Sequence, residues 1–339
     1  MHKFVFARHL LSVIILANLF LSFATFKSSA ENTSSISFVI ENDGMLGKDQ
    51  GYTSGLFLGY SAASSYSLEK FAPVGIKQLA KILPLDEKNK QLWQILAGQK
   101  IWTPVEINTL NEQSDSRPYA GLLFVDLHLI EYSSEFSNKY TFMTGTVGAH
   151  SYAQKAQKLL HEVIGSKEPL GWDRQINNQW VYSLGYEKQQ LLRRKKVNSV
   201  YDYDLSWTAR VNVGNEKSEV ALGGIYRWGV NLGDNFGSVG FTPGSYVNSG
   251  YFSTSGSGSF IFFGAEGRYR FNDITIEGRR PAHQYEINIK NWQASSVVGI
   301  TYYQKNYGLS FNVAINLPEY EEAKENFSTT GTVDIFVRI

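Results

Sequence analysis

Apolar and polar residues alternate with a period of two along much of this chain, the spacing of a strand whose two faces meet different surroundings. In YDYDLSWTARVNV (201–213), Tyr201, Tyr203, Leu205, Trp207, Ala209, Val211 and Val213 point one way. Asp202, Asp204, Ser206, Thr208, Arg210 and Asn212 point the other. Two Asp, an Arg and an Asn opposite seven apolar groups suit a strand with lipid on one side and a polar lumen on the other. GLSFNVAINL repeats the pattern through Leu309, Phe311, Val313 and Ile315. GTVDIFVRI repeats it through Val333, Ile335, Val337 and Ile339. Twelve such segments are predicted, near 36–43, 52–62, 92–102, 118–132, 139–149, 177–192, 200–213, 218–232, 258–271, 292–304, 306–317 and 328–339. The fold class is therefore all-β: a transmembrane antiparallel barrel of about 12 strands, the even number that bacterial barrels use.

Two segments depart from this period. GIKQLAKILPLD (75–86) is amphipathic at helical spacing and stops at Pro84. SYAQKAQKLLHEVIG (151–165) begins with Ser151 and Gln154 as a capping box and ends at Gly165. Ala153, Gln157, Leu160, His161 and Ile164 share one face of that second helix.

With a periplasmic N-terminus and strands running alternately up and down, 43–51, 103–117, 150–176, 213–217, 272–291 and 318–327 gather on the extracellular rim. The Gly/Ser-rich connection 233–257 falls at the opposite end, where turns are usually short. Either it folds back over the barrel or the count is off by one strand.

Composition adds an address. Lys3, Arg8 and His9 precede the apolar run LLSVIILANLFLSFATF, and Ser28-Ser29-Ala30 offers a small-residue cleavage site, so residues 1–30 read as a signal peptide and 31–339 as the barrel domain. Losing Lys3, Arg8 and Lys27 leaves 29 of the 32 basic side chains against all 31 acidic ones, a balance that gives no reason to expect nucleic acid. Without cysteine the exported chain must be held by something other than disulfides, and a closed ladder of hydrogen bonds does that.

Candidate chemistry lies on the predicted rim. Four histidines remain beyond residue 30 (His128, His150, His161 and His283), and His161 is the one on the isolated helix, where an imidazole can act as general base. ENDGMLGKDQGYTSG (41–55) places Glu41, Asn42, Asp43 and Asp49 within nine residues, hard oxygen donors that suit Ca²⁺ but equally a solvated turn. Asn42 and Asp43 cannot share a face unless the strand bulges or ends there, and Thr53 opens the next strand. Arg117, in SDSRPYAG, suits an anionic partner or merely starts a strand. No serine-nucleophile signature is present.

These motifs together resemble one family. ENDGMLGKDQGYTSGLFLGYS, QKIWTPVEINTLNEQSDSRPYAG, GTVGAHSYAQKAQKLLHEVIGSKEPLGWDRQINN, VNVGNEKSEVALGGIYRWGVNLGDNFG and EYEEAKENFSTTGTVDIFV are similar to stretches of the outer-membrane lipid A 3′-O-deacylases, the LpxR-like proteins. The resemblance implies a twelve-stranded barrel with a site between its wall and a helix, on the extracellular side. It implies Ca²⁺-dependent hydrolysis of the 3′-acyloxyacyl ester of lipid A in lipopolysaccharide. Carried over by motif, His161 activates water, Asp43 helps hold Ca²⁺, and Asn42 and Thr53 orient the site. Two departures stand out. The family lysine that follows the TP segment falls near Thr109 here, which leaves Arg117 as the cation of that interval, and GAHS brings in His150, which has no assigned role. A monomer in the outer membrane is expected. An outer-membrane phospholipase A and a non-enzymatic channel or surface-binding barrel are the alternatives.

Overall fold

The computed structural model describes residues 33–43, 51–111, 113, 115–239, 256–281 and 287–339. The expected signal peptide and Asp49 lie outside these. Twelve strands follow one another: β1 Ser35–Asn42, β2 Gly51–Ser61, β3 Lys90–Thr103, β4 Ala120–Tyr132, β5 Phe136–Val147, β6 Gln179–Lys196, β7 Asp202–Gly214, β8 Lys217–Val230, β9 Gly258–Asp273, β10 Trp292–Tyr303, β11 Tyr307–Asn316 and β12 Ser328–Arg338. Each pairs antiparallel with its chain neighbours, and β12 closes on β1 from Ser35↔Arg338 to Asn42↔Gly331. Closure leaves no sheet edge exposed to lipid.

The period-two pattern decides which side chains face out. Leu205, Val211 and Val213 of β7 are exposed on the outer wall, while Asp204, Ser206 and Thr208 are buried inside. Leu309, Phe311 and Ile315 of β11 and Val298 and Ile300 of β10 extend the outer apolar surface. No helix among the described residues is long and apolar enough to cross a membrane.

The lumen is filled with paired charges. Asp204 accepts from Arg194 at 3.1 Å and from Arg227 at 2.7 Å. Glu219 lies between Arg210 and Arg270, and Arg270 continues to Asp273 at 2.9 Å and Glu319 at 3.2 Å. Buried charges are tolerated when each has such a partner.

The strand count needs no correction; of the connection 233–257 only its two ends are described, and 240–255 lie outside the described residues. A 3-10 turn, Leu232–Asn235, returns into the barrel. Asn235 accepts from Arg227 through its backbone and side-chain oxygens at 3.0 and 2.6 Å. Leu232, Phe236 and Val239 are buried, and Leu232 and Val239 pack with Phe260, Phe262 and Phe336.

At that same end, α1 (Leu68–Phe71) and α2 (Val74–Ile82) lie against the barrel, α1 being an element the sequence pattern did not predict. Their Leu68, Ile76 and Ala80 pack with Leu127, Leu129, Tyr140 and Phe142 of β4 and β5. At the opposite end stand α3 (Ala153–Ile164) and α4 (Ile274–Glu277). The capping box expected for α3 does not form. Ser151 belongs to a preceding 3-10 turn, Ala149–Ser151, where its hydroxyl donates to Gly148 O at 2.6 Å and accepts from Ala153 N–H at 3.3 Å. Tyr152, at φ 58°, makes the junction.

Candidate active site

The outer wall changes character near the rim. Lower down, Leu56, Ile95 and Leu123 point outward and are between 40% and 51% exposed. Near the tops of β2 and β3, Thr53, Ile101 and Thr103 are at most 4% exposed. On β3, Trp102 faces the lumen against Tyr52, so by alternation Ile101 and Thr103 face out. Protein rather than lipid covers this patch.

The cover is α3 with the connections on either side of it. The helix packs on β3 and β4. Gly121 of β4 permits the approach: a Cβ there would stand 2.2 Å from both Ala153 Cβ and Ser151 Oγ. Gln99 Nε2 donates to Ser151 O at 2.6 Å, fixing the start of the helix to the wall. Ala153, Gln157 and His161 form the buried face of α3, while Leu159, Leu160 and Val163 are exposed. A helix that buries the polar Gln157 and His161 while exposing Leu159, Leu160 and Val163 beside Lys155, Lys158 and Glu162 suits a position between a polar site and lipid. Leu160, expected on the inner face, is on the outer one.

At the same rim, β1 ends and β2 begins. Asn42 is in register with Ser54. Its Nδ2 donates to Thr53 O at 2.9 Å, and the Asp43 N–H donates to the same carbonyl at 3.4 Å. The register between β2 and β3 shifts at Tyr52/Ser54, a bulge that sets Thr53 out of the ladder. Thr53 Oγ1 then meets Thr103 Oγ1 at 2.7 Å. Asp43, just past the strand end, is buried. Glu41 faces the lumen and accepts from Tyr52 OH at 2.5 Å, on the other side of the wall from Asn42. The strand end and the bulge are the two devices that bring Asn42, Asp43 and Thr53 together.

His161 is buried and oriented by its own helix terminus. Gly165 takes φ +69°, and Ser166 N–H donates to His161 O at 2.9 Å, closing a Schellman turn. The chain then doubles back, and Lys167 O lies 2.6 Å from His161 Nδ1. A carbonyl only accepts, so Nδ1 carries the hydrogen and the neutral ring keeps its lone pair on Nε2. One turn earlier on the same face, Gln157 Oε1 accepts from Trp172 Nε1 at 2.8 Å. That turns the Gln157 amide nitrogen away from Trp172, and it has no hydrogen-bond partner among the described residues. The i, i+4 spacing with His161 was visible in the sequence; the role of Trp172 in orienting Gln157 was not.

Arg117 is not part of this group. Its guanidinium is 1% exposed, donates to Glu319 at 2.8 Å and Thr275 at 2.8 Å, and lies over the lumen-facing Trp102 ring. Burial pushes the Glu319 carboxyl up, but Arg117 and Arg270 outweigh it and hold it at about 2. The guanidinium expected to stand in for a catalytic cation is committed to Glu319 and Thr275 at the lumen side of the rim. Thr109 instead borders a rim cleft with Asn111, Gln113, Arg174 and Arg280. Tyr119 and Trp172, 4.7 Å apart, separate that cleft from the inner face of α3.

The group supplies hard oxygens suited to a cation: the Asp43 carboxylate, the Asn42 amide, and the hydroxyls of Thr53 and Thr103. Among the described residues no set of three or more His, Cys, Asp or Glu converges on one point. Asp43 is thus the one anionic donor of the group, with neutral oxygens beside it.

A family model described as outer membrane protein LpxR matches residues 10–339. LpxR from Salmonella typhimurium is a similar solved structure, at 17% identity and a TM-score of 0.76, over 90% of this chain and 100% of that one. The KdgM porin in complex with disordered oligogalacturonate, at 11% identity and a TM-score of 0.35, covers 90% of this chain and 99% of its own. The beta domain of the Bordetella autotransporter BrkA, at 8% and 0.43, covers 92% of this chain and 100% of its own. A comparison with curated protein sequences returned no match.

Proposed function

The chain belongs to the LpxR family of outer-membrane proteins, the lipid A deacylases, and we propose that it hydrolyses the 3′-linked acyloxyacyl ester of lipid A with a water molecule activated by His161. One observation carries the mechanism. The outer wall, which should meet lipid, is covered at its rim by a helix that presents a buried, oriented imidazole to it. A substrate that is part lipid and part sugar can enter from the side, with acyl chains along the apolar wall and its sugars at the rim.

His161 Nε2 takes a proton from water, and the resulting hydroxide attacks the ester carbonyl. Collapse of the tetrahedral intermediate breaks the bond to the sugar oxygen. That oxygen takes the proton back from His161, leaving a free 3′-hydroxyl and a carboxylic acid that gives up its remaining proton to water. The Lys167 carbonyl steadies the imidazolium by accepting from Nδ1. Asn42 holds the Thr53 carbonyl, and Thr53 with Thr103 fixes the wall opposite the helix. Asp43 and the neighbouring neutral oxygens would hold Ca²⁺. When bound, the ion would supply Lewis-acid polarisation of the ester carbonyl. Gln157 Nε2 adds a neutral donor on the helix side of the cleft.

The test is purified protein in detergent, incubated with lipid A. Release of the 3′-acyloxyacyl chain, stopped by chelation and restored by Ca²⁺, is the expected outcome. Intact lipid A after incubation with Ca²⁺ contradicts the activity, and undiminished release under chelation contradicts the metal.

A further inference from the structure

We propose that the outer wall of β6–β8, at the end of the barrel opposite α3, binds an anionic phospholipid of the inner leaflet with its phosphate on Arg193 and Lys195. This goes beyond the deacylase reading and does not depend on it. Short turns (133–135, 197–201 and 304–306) and both ends of the paired chain, Ser35 and Arg338, mark this end as the periplasmic one. A bulge decides which cations of β6 face out there. The register with β7 shifts between Leu191 and Arg193. Beyond the shift Arg194 stands opposite Asp204 and turns inward to pair with it at 3.1 Å. Arg193 stands opposite Leu205, and Lys195 opposite Tyr203. Leu205 is exposed on the outer wall, so Arg193 and Lys195 share that face, and both are exposed. Without the extra residue, alternation would send Arg193 inward and Arg194 outward. Higher on the same face Gln190, opposite Trp207, and Lys188, opposite Ala209, continue a polar ridge.

The ridge is cationic. Among the described residues Lys188, Arg193 and Lys195 make no ion pair, whereas Lys139 on β5 reaches Glu187 at 3.1 Å. Two carboxylates lie close along the chain, Glu135 before β5 and Asp202 opposite Lys196, and neither pairs with the ridge. Residues 240–255, between β8 and β9, contain no Asp or Glu. Two residues apart on one face, Arg193 and Lys195 stand roughly 7 Å from each other at the backbone, within reach of a single phosphate diester. The arginine fork offers two parallel donors to its oxygens, and the lysine adds a point charge.

What stands beside the ridge makes the partner a lipid. On the outer face of β7 and β8, Tyr201 stacks on Trp228 at 4.7 Å and Tyr203 on Tyr226 at 6.0 Å. Such rings near strand ends form the girdle that sits at headgroup level. Lys195 is in register with one of them, Tyr203. Above the girdle Leu205, Val211 and Val213 give acyl chains an exposed apolar wall. The twelve residues from Tyr201 to Val213 span roughly 40 Å along the strand and, at a tilt of about 40°, roughly 30 Å across the membrane. That is the thickness of the hydrocarbon layer, so Arg193 and Lys195 lie at its inner border. A soluble polyanion would call for cations at the hairpin tip, and the tip is Val197-Asn198-Ser199-Val200.

The experiment uses the whole barrel in uncharged detergent, with heat-modifiable migration to verify folding. Wild type and Arg193→Gln/Lys195→Gln are titrated with phosphatidylglycerol or with phosphatidylcholine of the same chains, and bound lipid is counted by native mass spectrometry. Lys88→Gln/Lys305→Gln, the same loss of charge elsewhere at this end, is the control. Wild type is expected to hold phosphatidylglycerol at least about tenfold more tightly than phosphatidylcholine, the scale of two cations meeting an anionic headgroup. The ridge variant is expected to lose that preference and the control to keep it. Raising the salt to about 0.5 M is expected to narrow the wild-type preference, a reading that needs no variant. Equal wild-type affinity for the two lipids, a preference that survives in the ridge variant or is indifferent to salt, or an equal loss in the control overturns the proposal. Displacement of bound phosphatidylglycerol by an equal concentration of soluble polyglutamate also overturns it, in favour of a soluble periplasmic partner.

Discussion

His161 owes its orientation to Gly165, four residues on. At φ +69° a β-branched side chain is strained, whereas asparagine tolerates this region and occurs in such turns. Nothing lies near a Cβ built at Gly165, so the conformation and not the space makes the difference. Gly165→Asn is expected to keep most of the activity. Gly165→Val is expected to lower kcat at least tenfold by moving the Lys167 carbonyl off Nδ1, with an altered pH–rate profile; equal kcat for the two variants contradicts this. Arg117 gives the opposite expectation. Because it pairs with Glu319 inside the barrel, Arg117→Ala should cost folding stability, by roughly 3 kcal/mol in denaturant titration. Its kcat should fall far less than that of His161→Ala; a comparable loss returns Arg117 to the site. The sequence marked Asn42, Asp43, Thr53 and His161 as candidates through the resemblance of their motifs to the LpxR-like proteins, and the first three do meet at one strand end. It did not show that Arg117 turns inward, because its partners Thr275 and Glu319 are more than 150 positions away.

Strands were legible as elements because lipid on one side and paired charges on the other impose a strict period. The bulge at Thr53 was not, since it exists only in the register between β2 and β3. Nor was the sidedness of α3: an isolated helix normally hides its apolar stripe, and this one hides Gln157 and His161 and exposes Leu159, Leu160 and Val163. The contact that sets the helix is Gly121 against Ala153 and Ser151. Gly121→Val is expected to push α3 off the wall and remove nearly all activity while the barrel still shows heat-modifiable migration. Full activity contradicts the packing described. The rim connection 317–327 carries a pH signature of its own. Glu319 is held at about 2, below the ordinary 4.5, so its contribution to stability is present above 4.5 and is lost as the pH falls through about 2. The Glu319→Gln variant should lose stability at neutral pH and show a smaller further loss over that window; identical acid curves for the two proteins contradict the pairing.

At the scale of the whole molecule, two compartments divide the work. The lumen is a structural interior, filled by the ion pairs around Asp204, by those running from Arg210 to Glu319, and by the turn Leu232–Asn235 that Arg227 holds. In the proposed mechanism the chemistry belongs to the outer wall, where α3 covers the tops of β3 and β4. Alternation and a charge-bearing inner face were enough to read the barrel from the sequence. That the start of the connection after β8 turns inward was not legible until its contacts with Arg227 and Phe260 were seen. The central claim is that this wall-and-helix site cleaves the 3′ ester of lipid A through His161. Mass spectrometry of lipid A from cells expressing wild type or His161→Ala, with Ca²⁺ supplied, tests it most directly. The account predicts loss of the mass of the 3′-acyloxyacyl chain with wild type and intact lipid A with the variant. An unchanged acyl pattern with wild type, or equal deacylation by His161→Ala, contradicts it.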